Sequence, residues 1–216
     1  MASGKQFDIT GLTGLVASGG KSSRMGQDKS MLIYQKKPEV FRLYDMLEKH
    51  CTQVFISCNN KQAAAIRAEY NTLTDLPELS QCGPMGGLLT AYNCLPGNNF
   101  IFIGCDYPYL HPEELERFIT FISTENSPAA FYHFNKNLYE PLLAYYPAHA
   151  GNRLTEMHNS NQLSLQHFLQ ENQARKYLPI DENCMTGADT NTDYLKAKMY
   201  FASSDSAETE KTNGPD

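Results

Sequence analysis

One stretch, residues 15–29, restricts the fold more than any other. It reads Leu-Val-Ala-Ser-Gly-Gly-Lys-Ser-Ser-Arg-Met-Gly-Gln-Asp-Lys. An apolar strand over residues 13–17 breaks at Gly19-Gly20 into a segment carrying Lys21, Arg24 and Lys29 with two hydroxyls, Ser22 and Ser23. Paired glycines let the backbone approach an anion and aim N–H groups at it, and the following cations neutralise charge that amide dipoles alone cannot. The pattern is neither a Walker A loop nor a G-x-G-x-x-G fingerprint: five residues separate Gly20 from Gly26, and Lys29 lies three beyond Gly26. Two readings stand: a phosphate-binding loop, or a glycine-rich turn with ordinary surface cations.

The rest of the chain alternates strand and helix. Pro38 opens a helix whose Val40, Leu43, Tyr44, Leu47 and Cys51 recur on one face, and residues 54–58 read as a buried parallel strand ending at Asn59-Asn60. Residues 62–70 are alanine-rich and helical in pattern, and 73–76 form a short strand ending near Asp75. A second glycine loop, residues 82–87, precedes an apolar helix through Leu88, Leu89 and Tyr92. Residues 100–103 are the clearest strand, followed immediately by Asp106. In open α/β sheets ligands bind beyond the carboxyl ends of the strands, where such an Asp serves as a metal ligand or, equally, as a turn residue ahead of Pro108. Pro112 opens an amphipathic helix; residues 129–134 and 142–146 read as strands joined through Asn135-Lys136-Asn137. Residues 154–157 and 163–169 read as helical, 176–180 as a last strand, and Thr192 as the cap of a closing helix through Leu195 and Met199. The alternation predicts one α/β domain with a Rossmann-like, doubly wound, mainly parallel sheet. That domain spans residues 1–202, with a loosely held lead-in over 1–9 and a disordered tail over 203–216.

Composition narrows the partners. A formal charge of −6 argues against a general nucleic-acid binder, so the placement of the few cations carries more information than their number. The six cysteines, at 51, 58, 82, 94, 105 and 184, lack metal-ligand spacing and read as reduced thiols. With no apolar run of membrane-spanning length and no signal pattern, the expected location is the cytoplasm.

Residues 17–29 resemble the L-A-G-G-x-S-x-R-M-G-x-D-K signature of the molybdenum cofactor guanylyltransferase family of the NTP-transferase superfamily. The resemblance continues in order through residues 54–59, Gly83-Pro84-Met85-Gly86-Gly87-Leu88, Cys105-Asp106-Tyr107-Pro108-Tyr109-Leu110, Pro141-Leu142-Leu143-Ala144-Tyr145-Tyr146-Pro147 and Asn191-Thr192, covering about residues 12–198. It implies a fold of the nucleotide-diphospho-sugar transferase type and transfer of GMP from GTP to the terminal phosphate of molybdopterin, with pyrophosphate leaving and Mg²⁺ present. A phosphate monoester has a second pKa of about 6, so this nucleophile needs no strong base, and alignment plus charge stabilisation suffice.

On the matching positions, the resemblance implies that Ala17, Ser18, Gly19 and Gly20 hold the GTP phosphates, that Arg24 binds the leaving pyrophosphate, and that Lys29 neutralises the phosphate under attack. Asp106 would carry the metal. Asn59 and Asp75, with backbone from Gly83 and Pro84, form the base and ribose side, and Asn191 and Asp189 lie towards the acceptor. Ser18 stands where Ala is usual, Ser23 where a basic residue is frequent, and Asp189 where Asn is frequent; Asp189 either adds charge beside the pterin or binds a second cation. The implied partners are GTP and molybdopterin, with transient contact to molybdoenzymes or cofactor-synthesis proteins and with neither nucleic acid nor membrane. Transfer of CMP, transfer to a sugar phosphate, and nucleotide binding without turnover remain open alternatives, because a cytosine site can be built from the same residue types.

Overall fold

The computed structural model of the chain describes residues 11–18 and 29–212. Seven strands lie among them: β1 (Leu12–Ala17), β2 (Gln53–Cys58), β3 (Thr72–Thr74), β4 (Asn99–Gly104), β5 (Ala129–His133), β6 (Leu138–Tyr146) and β7 (Arg175–Tyr177). They form one sheet in the order β3-β2-β1-β4-β6-β5-β7. The β3–β2, β2–β1, β1–β4 and β5–β7 pairings are parallel, whereas β6 runs antiparallel to both β4 and β5. The expected mainly parallel, doubly wound sheet is therefore present.

Alternation along each strand sends side chains to two cores. Leu12 and Val16 of β1, with Val54, Ile56, Ile101 and Ile103, pack under α1 (Glu39–Glu48) and α4 (Pro112–Ile122). Leu15 and Ala17, with Phe100, Phe102, Ala144 and Tyr146, face α3 (Pro84–Cys94), α5 (Ala150–Asn159) and α6 (Leu165–Glu171). Burial on both faces is why the inner strands read as continuous apolar runs rather than alternating ones. A third, smaller core of Leu32, Tyr34, Ala188, Ala197 and Phe201 seats the closing helix α7 (Asn191–Thr212).

Several elements differ from the sequence reading. The helical run expected over residues 62–70 is a single turn, α2 (Asn60–Ala63); a helix this short depends on its cap, because nucleation is costly without a packed face. Residues 84–87 belong to α3 rather than to a loop: Pro84 takes the first helical position, and Gly83 supplies the preceding turn with a φ of +58° that other residues rarely adopt. Strand β6 begins at Leu138 because a register shift against β5 accommodates Pro141 inside a bulge, the setting in which a strand tolerates proline. The last strand is confined to β7, leaving Leu178 and Ile180 exposed. Helix α7 is capped by Thr190 rather than Thr192: the Asp193 N–H donates to Thr190 Oγ1 (3.2 Å) and the Thr190 N–H to Asp193 Oδ2 (3.0 Å). Its backbone continues to Thr212, past the Ser203 boundary assigned to a tail, since alanine, glutamate and lysine propagate a helix already nucleated.

Gly86 marks the closest approach in this arrangement, where an added Cβ would collide with the Leu79 carbonyl oxygen. A backbone atom cannot swing aside, so Gly86→Ala should lose about 1–3 kcal/mol to overpacking, more than the ~1 kcal/mol that alanine gains over glycine in helix propensity. A lower urea midpoint checks this; an unchanged or raised midpoint contradicts it.

Candidate active site

The carboxyl ends of β1, β2, β3 and β4 are bound to one another at one edge of the sheet. Beyond β1, the Ser18 N–H and hydroxyl both donate to the Ser57 carbonyl, at 3.0 and 2.8 Å. The Cys105 N–H, beyond β4, donates to the Ala17 carbonyl (3.1 Å), and the Asp75 N–H, beyond β3, to the Cys58 carbonyl (3.1 Å). Every post-strand loop that the sequence marks as functional thus starts from a fixed neighbour.

Between these ends and the N-terminus of α3 lies a cavity of about 570 Å³. Ala17, Asn59, Asp75, Gly83 and Pro84 line it, five of the residues expected to hold nucleotide. Ser57, Gln62, Ser80, Gln81, Gly87 and Phe102 complete the lining. Ser57 and Phe102 were hidden inside strand patterns, while Gln62 carries a readable signal: Asn59 and Gln62 have the spacing of a capping box. That box is formed, since Asn59 Oδ1 accepts from the Gln62 N–H (2.9 Å) and Gln62 Oε1 accepts from the Asn59 N–H (3.2 Å). Gly87 leaves room for Ser57, whose hydroxyl an added Cβ would strike. Ser18 lies outside the lining. Its hydroxyl is bound to the Ser57 carbonyl.

A second group of residues is ionic. Lys29 Nζ lies 2.8 Å from Asp189 Oδ1 and acts electrostatically on Asp106, as does Asp189 itself. The backbone joins these residues too, because the Ala188 N–H donates to the Asp106 carbonyl at 2.8 Å. Next to Asp106, the Tyr107 hydroxyl donates to Glu140 (2.6 Å), which also pairs with His133 (2.7 Å). Asn191 is exposed at the first turn of α7. Gly19, Gly20 and Arg24, like Ser23, lie outside the described residues.

Two buried side-chain oxygens among the described residues have no hydrogen-bond partner, Asp75 Oδ1 and Asp106 Oδ1. Native proteins rarely leave such atoms unsatisfied. Burial raises both carboxyls above their ordinary range. For Asp75, a hydrogen bond from Ser57 partly offsets the rise; for Asp106, a backbone hydrogen bond and Lys29 oppose it while Asp189 adds to it.

A Rossmann-like sheet with a cavity at the carboxyl ends of its strands has the arrangement in which doubly wound α/β proteins bind their ligands. More specifically, the chain belongs to the MobA-like NTP transferase domain family, which it matches over residues 14–176. A Synechocystis protein named molybdenum cofactor biosynthesis bifunctional protein is 36% identical over 151 residues, 69% of this chain and 43% of that protein. The chain therefore spans less than half the length of that relative. A probable molybdenum cofactor guanylyltransferase of Halalkalibacterium halodurans is 27% identical over 135 residues, 62% of this chain and 68% of its own length. Among solved structures, the molybdopterin-guanine dinucleotide biosynthesis protein A of Archaeoglobus fulgidus superposes with a TM-score of 0.72 at 19% identity, covering 88% of this chain and 99% of that one. At that identity the superposition speaks for the fold alone. Among the described residues, no helix is long and apolar enough to cross a membrane, and all six cysteines are free thiols.

A carboxyl whose pKa is raised by folding favours the folded state at low pH, and that contribution disappears as pH rises through the folded value. Asp75→Asn should therefore melt above wild type at neutral pH without ligand, by about 2–4 °C for each kcal/mol relieved. The gap should close as pH falls through the carboxylate range. Thermal melts across pH check this, and a variant melting lower at neutral pH would show that the Asp75 charge is not a burden on the fold.

Proposed function

We propose that the protein is a guanylyltransferase that joins GMP, taken from GTP, to the terminal phosphate of molybdopterin. The observation that carries this reading is the division of the site into two chemistries. The cavity offers amides, hydroxyls, the N-terminus of α3 and one carboxylate, whereas Lys29, Asp106 and Asp189 gather apart from that lining. A pocket whose one charged side chain is a carboxylate suits a nucleobase and ribose, and an ionic cluster suits phosphates.

Within the cavity, the choice of base follows from hydrogen-bond polarity. Guanine presents donors at N1 and N2 beside an acceptor at O6. An ionised Asp75 only accepts and the Gly83 N–H only donates, so the two together would match that edge. Pro84 has no N–H, and the Gly86 N–H is bound to the Gly83 carbonyl at 3.0 Å. Cytosine offers one donor group and two acceptors, for which a carboxylate is the poorer partner.

In the reaction, an oxygen of the acceptor phosphate forms a bond to the α-phosphorus of GTP as the bond from that phosphorus to the bridging oxygen of pyrophosphate breaks. The acceptor, already largely a dianion, requires no general base. Lys29 would offset charge on the phosphate under attack, Arg24 would receive the pyrophosphate, and Gly19 and Gly20 would offer backbone N–H groups to the triphosphate. Asp106 suits Mg²⁺: it is a partly exposed carboxylate with one buried, unpartnered oxygen, and Asp189 stands near enough to act on it electrostatically. Mg²⁺ prefers one or two carboxylates completed by substrate oxygens and water. Bound there, it would supply positive charge to the phosphates. The remaining coordination would fall to substrate and solvent, since no group of three or more His, Cys, Asp or Glu positioned for a metal occurs among the described residues. Asp189, with Asn191 at the start of α7, would face the acceptor side. Free thiols agree with a cytoplasmic setting, where they stay reduced.

Calorimetry with GTP, CTP, ATP and UTP, followed by pyrophosphate release in the presence of molybdopterin, tests this reading. GTP is expected to bind in preference; preference for CTP would reassign the site to cytidylyl transfer. Lys29→Ala and Asp106→Ala should each lower turnover about 100–1,000-fold, the usual loss when one stabilising group is removed from developing charge. Asp106→Ala should also weaken the dependence on Mg²⁺. Near-normal rates in either variant would reject the roles assigned to them.

A further inference from the structure

Strand β6 walls the Asp106 corner. Asp106 Oδ1 and Leu142 of β6 both lie over Gly104, where an added Cβ would meet them at 2.5 and 3.2 Å. The next residue, Tyr107, is buried, and its hydroxyl donates to Glu140 Oε2 of β6 at 2.6 Å. The other oxygen of Glu140 pairs with His133 Nε2, at the end of β5, at 2.7 Å. Side chains from β5, β6 and the loop beyond β4 thus form one hydrogen-bonded chain that stops one residue short of Asp106.

The irregularity of β6 falls at this point. Tyr139 pairs with Tyr132 of β5 and Ala144 with Ala130, so residues 140–143 stand opposite Phe131 alone. Bulges re-aim side chains, and Glu140 opens this one. With both oxygens engaged by the protein, Glu140 reaches Asp106 by two routes: through Tyr107, and through its charge, which acts electrostatically on Asp106. The routes are chemically separable. An amide oxygen accepts from a tyrosine hydroxyl as a carboxylate does, but carries no charge.

We propose that Glu140 is a positioning residue for a divalent cation at Asp106: by holding the Tyr107 hydroxyl from β6, it fixes the stretch of backbone from which the Asp106 carboxylate projects. On the other side, the Ala188 N–H holds the Asp106 carbonyl at 2.8 Å, so the residue is braced from both directions. The inference rests on the metal role given to Asp106 above.

The test reads binding of Mn²⁺ alone by electron paramagnetic resonance, with guanosine calorimetry reporting on the separate cavity. Asp106→Ala is the reference and should remove the Mn²⁺ site. Tyr107→Phe and Glu140→Ala should each weaken Mn²⁺ binding about tenfold, the smaller end of what loss of an outer partner costs a metal site. Adding Tyr107→Phe to Glu140→Ala should cost nothing further, because both cut one contact. Glu140→Gln keeps an acceptor for Tyr107, and its amide can donate to His133 Nε2, so it should retain most of the affinity. Guanosine affinity should not change in any of them. Wild-type Mn²⁺ affinity in Tyr107→Phe overturns the proposal, and so does a loss in Glu140→Gln as large as in Glu140→Ala, which would assign the effect to charge. Parallel losses of Mn²⁺ and guanosine affinity would also overturn it, as the mark of general damage. If wild type binds no Mn²⁺, or binding survives Asp106→Ala, the inference falls with the metal role of Asp106, while preference for GTP leaves guanylyl transfer standing. A chain that binds neither Mn²⁺ nor GTP removes both.

Discussion

The pairing of β1 on both sides, in parallel, governs everything at the site. Ala17 stands opposite Ser57 of β2 and Gly104 of β4, so three strands end level with one another. Their loops then begin within hydrogen-bonding reach: Ser18 binds Ser57, and Cys105 binds Ala17. A parallel sheet puts all its outgoing loops on one edge, and each right-handed crossover returns the chain to the opposite edge before the next strand. Among the described residues, those proposed for nucleotide chemistry between positions 17 and 106 are collected by topology rather than by local sequence.

How much of this is legible without coordinates depends on whether a residue's role is local. Asn59, Asp75 and Asp106 each sit just past a strand; the rule that ligands bind there pointed to Asp106, whereas Asn59 and Asp75 were marked by the family resemblance. Gly83-Pro84 is a helix start that can be read from composition, although the pair of glycines after it suggested more loop than exists. Two other features needed the fold. Lys29 and Asp189 pair across 160 positions of sequence, with nothing local to announce it. Ser18 stood out in the sequence only as a serine where Ala is usual, and that its hydroxyl binds the Ser57 carbonyl is visible only once β1 and β2 are in register. Proline hid the first half of β6 for a comparable reason, because the bulge that accommodates Pro141 depends on the register with β5.

Electrostatics explains why this edge is poorly satisfied without ligand. The chain is acidic overall, and at the carboxyl ends of its strands the fold buries one oxygen of each of two half-buried carboxylates, Asp75 and Asp106, without a hydrogen-bond partner. The Ser57 hydroxyl moderates the penalty at Asp75, and Lys29 moderates it at Asp106, but burial outweighs both and the carboxyls stay above their ordinary range. Stability is given up at positions that the proposed function assigns to ligands, the usual place for local conflict in a folded protein.

Lys29 illustrates how the conflict is poised. Its ion pair with Asp189 involves a carboxylate that is 65% exposed, and such pairs contribute about 0–1 kcal/mol once solvent screening is counted. Under the proposed function, a polyphosphate would compete with Asp189 for Lys29, and Asp189, once released, would act on Asp106 without that ion pair. Phosphate and metal binding would then favour one another at this corner.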